Sequence, residues 1–209
     1  MLLYKDISIS LRIMNHLVII GKGKHSKVVE DIAIKNNYNK ITFIKYDSNI
    51  NYMSNYNLNI IKNNKHSFII GIGNNNLRRE IAEKWKYLNY VNIIDPFTSI
   101  SSNIKIGVGN LICPGVIIQN NTVIGNHNII NTKSSINHDN IIGNYINLCP
   151  NVTLCGSVKI NDITTLFSSV VVSPNIIIDK NSCIGANSFV NKYIEPNTTY
   201  YGTPCKKIK

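Results

Sequence analysis

Every sixth residue from Ile106 to Val190 is aliphatic, in the series Ile106, Ile112, Ile118, Ile124, Ile130, Ile136, Ile142, Leu148, Leu154, Ile160, Leu166, Val172, Ile178, Ile184, Val190. A period of six fits neither the 3.6 of a helix nor the alternation of a plain strand. Two residues ahead of each member runs a second restricted column, from Ile104 through Val116, Val152, Val158 and Ile176 to Ser188. Glycine or another turn former often follows the aliphatic position, as in "IGVG", "IGNH", "IGNY" and "IGAN". A short β segment and a turn, repeated in this way, build a parallel β-helix in which each repeat stacks on its neighbours. Three hexapeptides close a triangular coil, so the run predicts about four to five coils between about residues 97 and 195. The column residues should point inward.

Ahead of residue 95 the rhythm changes. "HLVII" (16–20) is a buried-strand run leading through "GKGKHS" into a helical pattern, "ITFIKYD" (41–47) reads as a second strand and "SFIIGIG" (67–73) as a third. "NNNLRREIAEKWKYL" (74–88) starts with caps and continues at helical spacing, and "YVNIID" (90–95) closes the set. Strands alternating with helices imply a small parallel α/β unit of Rossmann-like type. Ligands in such sheets bind at the carboxyl ends of strands, here Gly21, Gly23, His25, Asp47, Gly71 and Gly73. The domain reading is therefore an extension over 1–15, a nucleotide-sugar-binding domain over 16–95 and a β-helix with its tail over 96–209.

The net charge of the 209-residue chain is +11, but the bias towards Lys, Asn and Ile matches an AT-rich coding sequence. With no Lys/Arg run and no aromatic–basic interleaving, nucleic acid is not expected as a partner, whereas an anionic small molecule is. The five cysteines form no C-x-x-C pair and read as small wall or turn residues in a reduced cytoplasm. No apolar run approaches the roughly twenty residues of a membrane span.

"VIIGKGKHSKVVED", "GIGNNNLRREI", "INHDNIIGNYINLCPNVTLCGSVKI" and the closing "YGTPCKKIK" together resemble the bacterial sugar acetyltransferases of the hexapeptide-repeat type. These are the UDP-4-amino-sugar N-acetyltransferases and the sialic acid O-acetyltransferases. The resemblance covers nearly everything from Met14 to Lys209. It implies a left-handed β-helix, a homotrimer, and acetyl-CoA as co-substrate in the groove between neighbouring β-helices. It further implies that the Gly156 amide holds the thioester oxygen and that Asn131 contacts the sugar.

His138 falls two residues after Ile136, at a corner from which a side chain points outward, and Asp139 follows it directly. Imidazole titrates near neutrality, which suits a general base that takes a proton from the attacking sugar amine or hydroxyl. Asp139 would orient the ring or favour its charged form. The expected activity is N-acetylation of a nucleotide-linked amino sugar, with O-acetylation of a sialic acid as the alternative.

Three positions depart from the family pattern. Asp47 stands where relatives often carry two successive acids, Asn147 where some carry a second histidine, and "NDITTLFSSV" (161–170) lacks a glycine, which predicts a distorted turn. A metalloenzyme of the γ-carbonic anhydrase type needs three converging histidines, and the β-helix holds only His127 and His138. A non-catalytic scaffold would keep the aliphatic column without requiring the His138–Asp139 pair.

Overall fold

The computed structural model describes residues 15–46 and 66–208. Asp47, and with it the candidate base-recognising position, lies outside the described residues, as does nearly all of the expected extension over 1–15.

The first unit runs β1 (His16–Ile20), α1 (Lys24–Lys35), β2 (Lys40–Ile44), β3 (Ser67–Ile70) and α2 (Asn75–Lys84). The strands form a parallel sheet in the order β2-β1-β3. All five residues of β1 are buried, because a helix covers each face of the sheet. Leu17 and Ile19 pack with Val29, Ile32 and Ala33 of α1. Val18 and Ile20 pack with Ile81 and Ala82 of α2, closed by Trp85, Leu88 and Tyr90.

The second unit is a left-handed parallel β-helix of about 6 turns. Its coils stack in register at an eighteen-residue step, so that Ile118, Ile136 and Leu154 pair in one ladder. Fourteen of the fifteen column residues are no more than 2% exposed, and only Ile106, in an early coil, is partly open. Burying each such side chain contributes about 1.5–3 kcal/mol, which is why the column tolerates nothing polar.

Several expectations are corrected. The segment "YVNIID" is divided: Tyr90 bridges in parallel to Phe68 at the edge of the α/β sheet, whereas Ile93–Ile94 pairs with Leu111–Ile112 and opens the β-helix. At the far end the column shortens from six residues to four between Val190 and Ile194, after which Ile194 bridges to Ile178 and Tyr200 pairs with Ile184. The solenoid is therefore longer at both ends than the hexapeptide count, about 6 turns where four to five were expected. The glycines that follow the column are not its turn makers either. The left-handed backbone falls two residues later, and non-glycine residues hold it at every sixth position from Asn121 (φ 59°) through Asp139 (φ 59°) to Asn187 (φ 56°). Asparagine tolerates this region better than most residues, which accounts for part of the Asn-rich composition. Gly107, Gly125 and Gly143 instead leave room for the side-chain oxygens of Asn126, Asn144 and Asp162 one coil on. Those oxygens accept from the amides of Val108, Asn126 and Asn144 at 2.9, 2.8 and 2.7 Å. The glycine-free turn keeps its pairing: the Ile163 amide donates to Asn144 at 3.0 Å, with Ile163 itself at φ 65°.

One face of the β-helix carries the α/β unit. Its outward residues Ile93, Leu111 and Ile129 are buried in the α1 cluster, while the next three outward positions on that face, Asn147, Thr165 and Cys183, are polar and only partly covered.

Candidate active site

Ile136 anchors a corner to the core, the left-handed backbone falls at Asp139, and His138 and Asp139 stand exposed there between buried Ile136 and Asn140. His138 Nδ1 and Asp139 Oδ2 lie 2.6 Å apart, and the two side chains are 59% and 47% exposed. An ionised carboxylate only accepts, so Nδ1 carries the proton and, in the neutral ring, Nε2 holds the lone pair. Asn121 donates from Nδ2 to the other carboxylate oxygen at 3.0 Å. The hydrogen bond from His138, and after it that from Asn121, hold the Asp139 carboxyl below the usual carboxylate range. At this exposure such a pair adds little to stability, so its worth lies in orienting the ring. Gly156 sits one coil further on and directly against the imidazole. A Cβ there would come within 2.6 Å of Cε1 and 2.8 Å of Nε2.

The glycines of the α/β unit divide into two kinds. Gly21 (φ 123°) and Gly71 are close-packing positions: a Cβ on Gly21 would meet Ile72 at 2.9 Å and the Gly71 carbonyl oxygen at 3.0 Å, and one on Gly71 would meet Ser26 at 2.9 Å. Gly23 and Gly73 have open space where a side chain would be. Gly23 is the N-cap of α1 and provides no side-chain cap, so the first amides of that helix remain available to an anion. His25 lies in this first turn, half-buried, with Nε2 unpartnered among the described residues; burial, and then the Arg78 guanidinium, hold its imidazole below the usual range.

Arg78 ties this region to the β-helix. It is 1% exposed and its guanidinium donates to five acceptors. On the α/β side these are the carbonyls of Ile72 (3.0 Å) and Gly73 (3.1 Å) and Asn75 Oδ1 (2.9 Å). On the β-helix side they are the carbonyls of His127 (2.7 Å) and Ile146 (3.2 Å). Asn75 adds a bond to Thr165 Oγ1 at 2.9 Å. The sequence by itself gives Arg78 no role, and only the fold reveals it as the junction. Beside it a cleft of about 310 Å3 opens between Gly73–Asn76 and the polar part of the β-helix face, where Asn147, Thr165, Phe167 and Cys183 line it.

The candidate residues thus fall into separate groups. Gly21, Gly23, His25, Gly71 and Gly73 come together at the ends of β1 and β3. His138, Asp139 and Gly156 come together at one β-helix corner. Asn131 belongs to a different corner, where its Oδ1 accepts from the Thr132 amide at 2.8 Å. The corner that the α/β unit grips carries His127, Ile146 and Ile163 and is not that of His138, so the two larger groups do not meet within one protomer. For the same reason the two β-helix histidines do not converge: the His127 ring is stacked on Tyr145 and edge-on to Tyr90.

Residues 16–85 match the PglD N-terminal domain family. Over the whole length the chain is similar to PerB from Caulobacter crescentus, whose crystal structure holds CoA and GDP-perosamine, at 26% identity and a TM-score of 0.85, covering 93% of this chain and 97% of that one. It is also similar to the acetyltransferase domain of PglB from Neisseria gonorrhoeae in complex with acetyl coenzyme A, at 23% identity and a TM-score of 0.83, covering 93% of this chain and 99% of that one. A shorter stretch of 42 residues is 48% identical to galactoside O-acetyltransferase from Escherichia coli, spanning 20% of this chain and 21% of that protein. With a PglD-type domain over residues 16–85 and a hexapeptide β-helix behind it, the chain is similar over most of its length to bacterial sugar acetyltransferases of the left-handed β-helix type.

Proposed function

We propose that this protein transfers the acetyl group of acetyl-CoA to the amino group of a nucleotide-linked amino sugar, with His138 as general base. The observation that carries the reading is the 2.6 Å bond between His138 Nδ1 and Asp139, which leaves Nε2, beside Gly156, as the basic nitrogen of the neutral ring. The neutral sugar amine attacks the thioester carbonyl, forming the C–N bond, while Nε2 takes the proton that nitrogen sheds. Negative charge gathers on the thioester oxygen, against which the Gly156 amide is the proposed donor. When the C–S bond breaks, the imidazolium returns its proton to the departing CoA thiolate. Residues 16–95 would hold the nucleotide, with the open amides at Gly23 and Gly73 on its diphosphate, and residues 96–209 would carry out the transfer. The N-acetyltransfer reading draws support from PerB, whose structure holds GDP-perosamine.

The site is proposed to lie between copies in a homotrimer. In one protomer the His138 corner and the Gly73 cleft stand on different sides of the β-helix. A second copy would bring them together and would cover the exposed apolar positions Ile117, Val171, Ile141 and Ile177, which are 37–50% open. Asn131 would then act from a neighbouring corner.

The test is a panel of UDP-, dTDP- and GDP-linked amino sugars and free sialic acid, each offered with acetyl-CoA to the purified protein. Acetylation of a nucleotide amino sugar, lowered about 100-fold by His138→Ala with acetyl-CoA binding unchanged, is the expected result. Transfer to a sialic acid hydroxyl alone would select O-acetylation instead, a reading that the galactoside O-acetyltransferase match supports. A monomeric mass in solution would overturn the shared site.

A further inference from the structure

We propose that Asn121 is a positioning residue for the His138–Asp139 pair, held in its working orientation by Asn103. The inference rests on His138 acting as the base. Asn103, Asn121 and Asp139 occupy equivalent corner places in three successive coils, eighteen residues apart. The backbones also touch from coil to coil, the Asn121 amide donating to the Asn103 carbonyl at 2.8 Å and the Asp139 amide to the carbonyl of Asn120, one residue ahead of Asn121, at 3.0 Å. The side chains form a directed chain on top of that ladder. Asn103 Nδ2 donates to Asn121 Oδ1 at 2.6 Å, Asn121 Nδ2 donates to Asp139 Oδ1 at 3.0 Å, and Asp139 Oδ2 accepts from His138 Nδ1 at 2.6 Å.

The direction of the chain is what gives it a function. A lone asparagine amide can rotate by half a turn and exchange its oxygen for its nitrogen. Here such a flip would set Asn121 Oδ1 against a carboxylate oxygen and Nδ2 against the Asn103 amino group, costing both bonds at once. Asn103 therefore keeps a donor pointed at Asp139. That donor pins one carboxylate oxygen and leaves the other in line with the imidazole. An exposed Asp139 without it would rotate about its own side chain, and His138 would lose the partner that keeps its proton on Nδ1 and its lone pair on Nε2. After the bond from His138, the bond from Asn121 is also the next cause lowering the Asp139 carboxyl, and no lysine or arginine is among the causes.

The corner backbone decides which variants are clean. Asn121 has φ 59°, a conformation that glycine adopts without strain and aspartate tolerates. Asn121→Gly deletes the donor while keeping the turn, and Asn121→Asp keeps the shape while replacing donor with acceptor. In the full-length enzyme, Asn121→Gly should lower kcat about 10-fold, with the KM for acetyl-CoA unchanged. Asn121→Asp should lower kcat at least as much, because a second carboxylate then faces the first. The decisive readout is the 15N spectrum of the His138 ring above its titration. The parent protein should show one tautomer, protonated on Nδ1, and Asn121→Gly a mixture. Asn121→Gly with the parent kcat, or with reduced kcat but an unchanged single tautomer, would overturn the proposal. Full turnover in His138→Ala would instead remove the base itself, whatever Asn121 does, so the two failures are distinct.

Discussion

His127 should make the stability of this protein depend on pH in a way that one substitution removes. Its side chain is 5% exposed, stacked on Tyr145 at 5.6 Å between ring centroids and edge-on to Tyr90 at 4.6 Å, and Nδ1 has no partner among the described residues. Burial first, and the Arg78 guanidinium second, push its imidazole from 6.5 down to about 4. In the unfolded chain the ring takes up its proton near pH 6.5, whereas in the native protein it does so only near 4. Between those values the unfolded state binds more protons, so stability rises with pH across the window and falls as pH falls through it. Below about 4 both states are protonated and the loss levels off. At about 1.4 kcal/mol per pH unit the gap corresponds to about 3 kcal/mol. His127→Asn suits the left-handed backbone there (φ 54°) and replaces a titrating ring with a neutral amide. The void it leaves between the tyrosines lowers stability by an amount that does not vary with pH, and so drops out of the slope. His16, His25 and His66 are lowered in the same direction, but they are common to both proteins, as are the lowered carboxyls of Asp139 and Asp179. Urea unfolding at fixed protomer concentration, at intervals from pH 7.5 to 4, should show the parent losing about 3 kcal/mol more than the variant. Parallel curves for the two proteins would refute the reasoning.

Gly156→Ala should cost little stability, because the colliding atoms belong to the exposed His138 ring and can swing away, yet acetyl transfer should fall at least 10-fold; unchanged kcat would mean that the ring does not work from its present seat. Arg78→Lys offers three donors where five acceptors are now served, and leaving two buried carbonyls unpaired should lower the unfolding free energy by about 2–5 kcal/mol and raise the KM for the sugar nucleotide, measured by denaturation and by initial rates. Ile163→Asn should raise stability by about 1 kcal/mol, because a β-branched residue at φ 65° is strained where asparagine serves at five equivalent corners from Asn121 to Asn187; a lower melting temperature would show that the Ile163 side chain contributes more than its backbone costs.

The aliphatic column was legible in the sequence because one physical demand, a dry interior, recurs at every sixth place and admits few residue types. β1 was legible for a related reason, since a strand covered on both faces has no polar face to interrupt it. Ile93–Ile94 misled because an apolar pair is strand-like in any sheet, and only pairing with Leu111–Ile112 decides which sheet it joins. Within the candidate site, His138 and Asp139 stood out as adjacent ionisable groups in an Asn- and Ile-rich stretch. Asn121 did not, because its partner lies a whole coil away and it is one asparagine among many. Arg78 was hidden in another way: four of its five acceptors are backbone carbonyls, to which every residue contributes alike, so no pattern of side chains could mark them. What a sequence displays is side-chain recurrence; what it conceals are bonds whose other end is backbone or an eighteen-residue step away. Much of what orients this candidate site is of the second kind, and the asparagines that read as compositional bias prove to cap amides and steer a carboxylate.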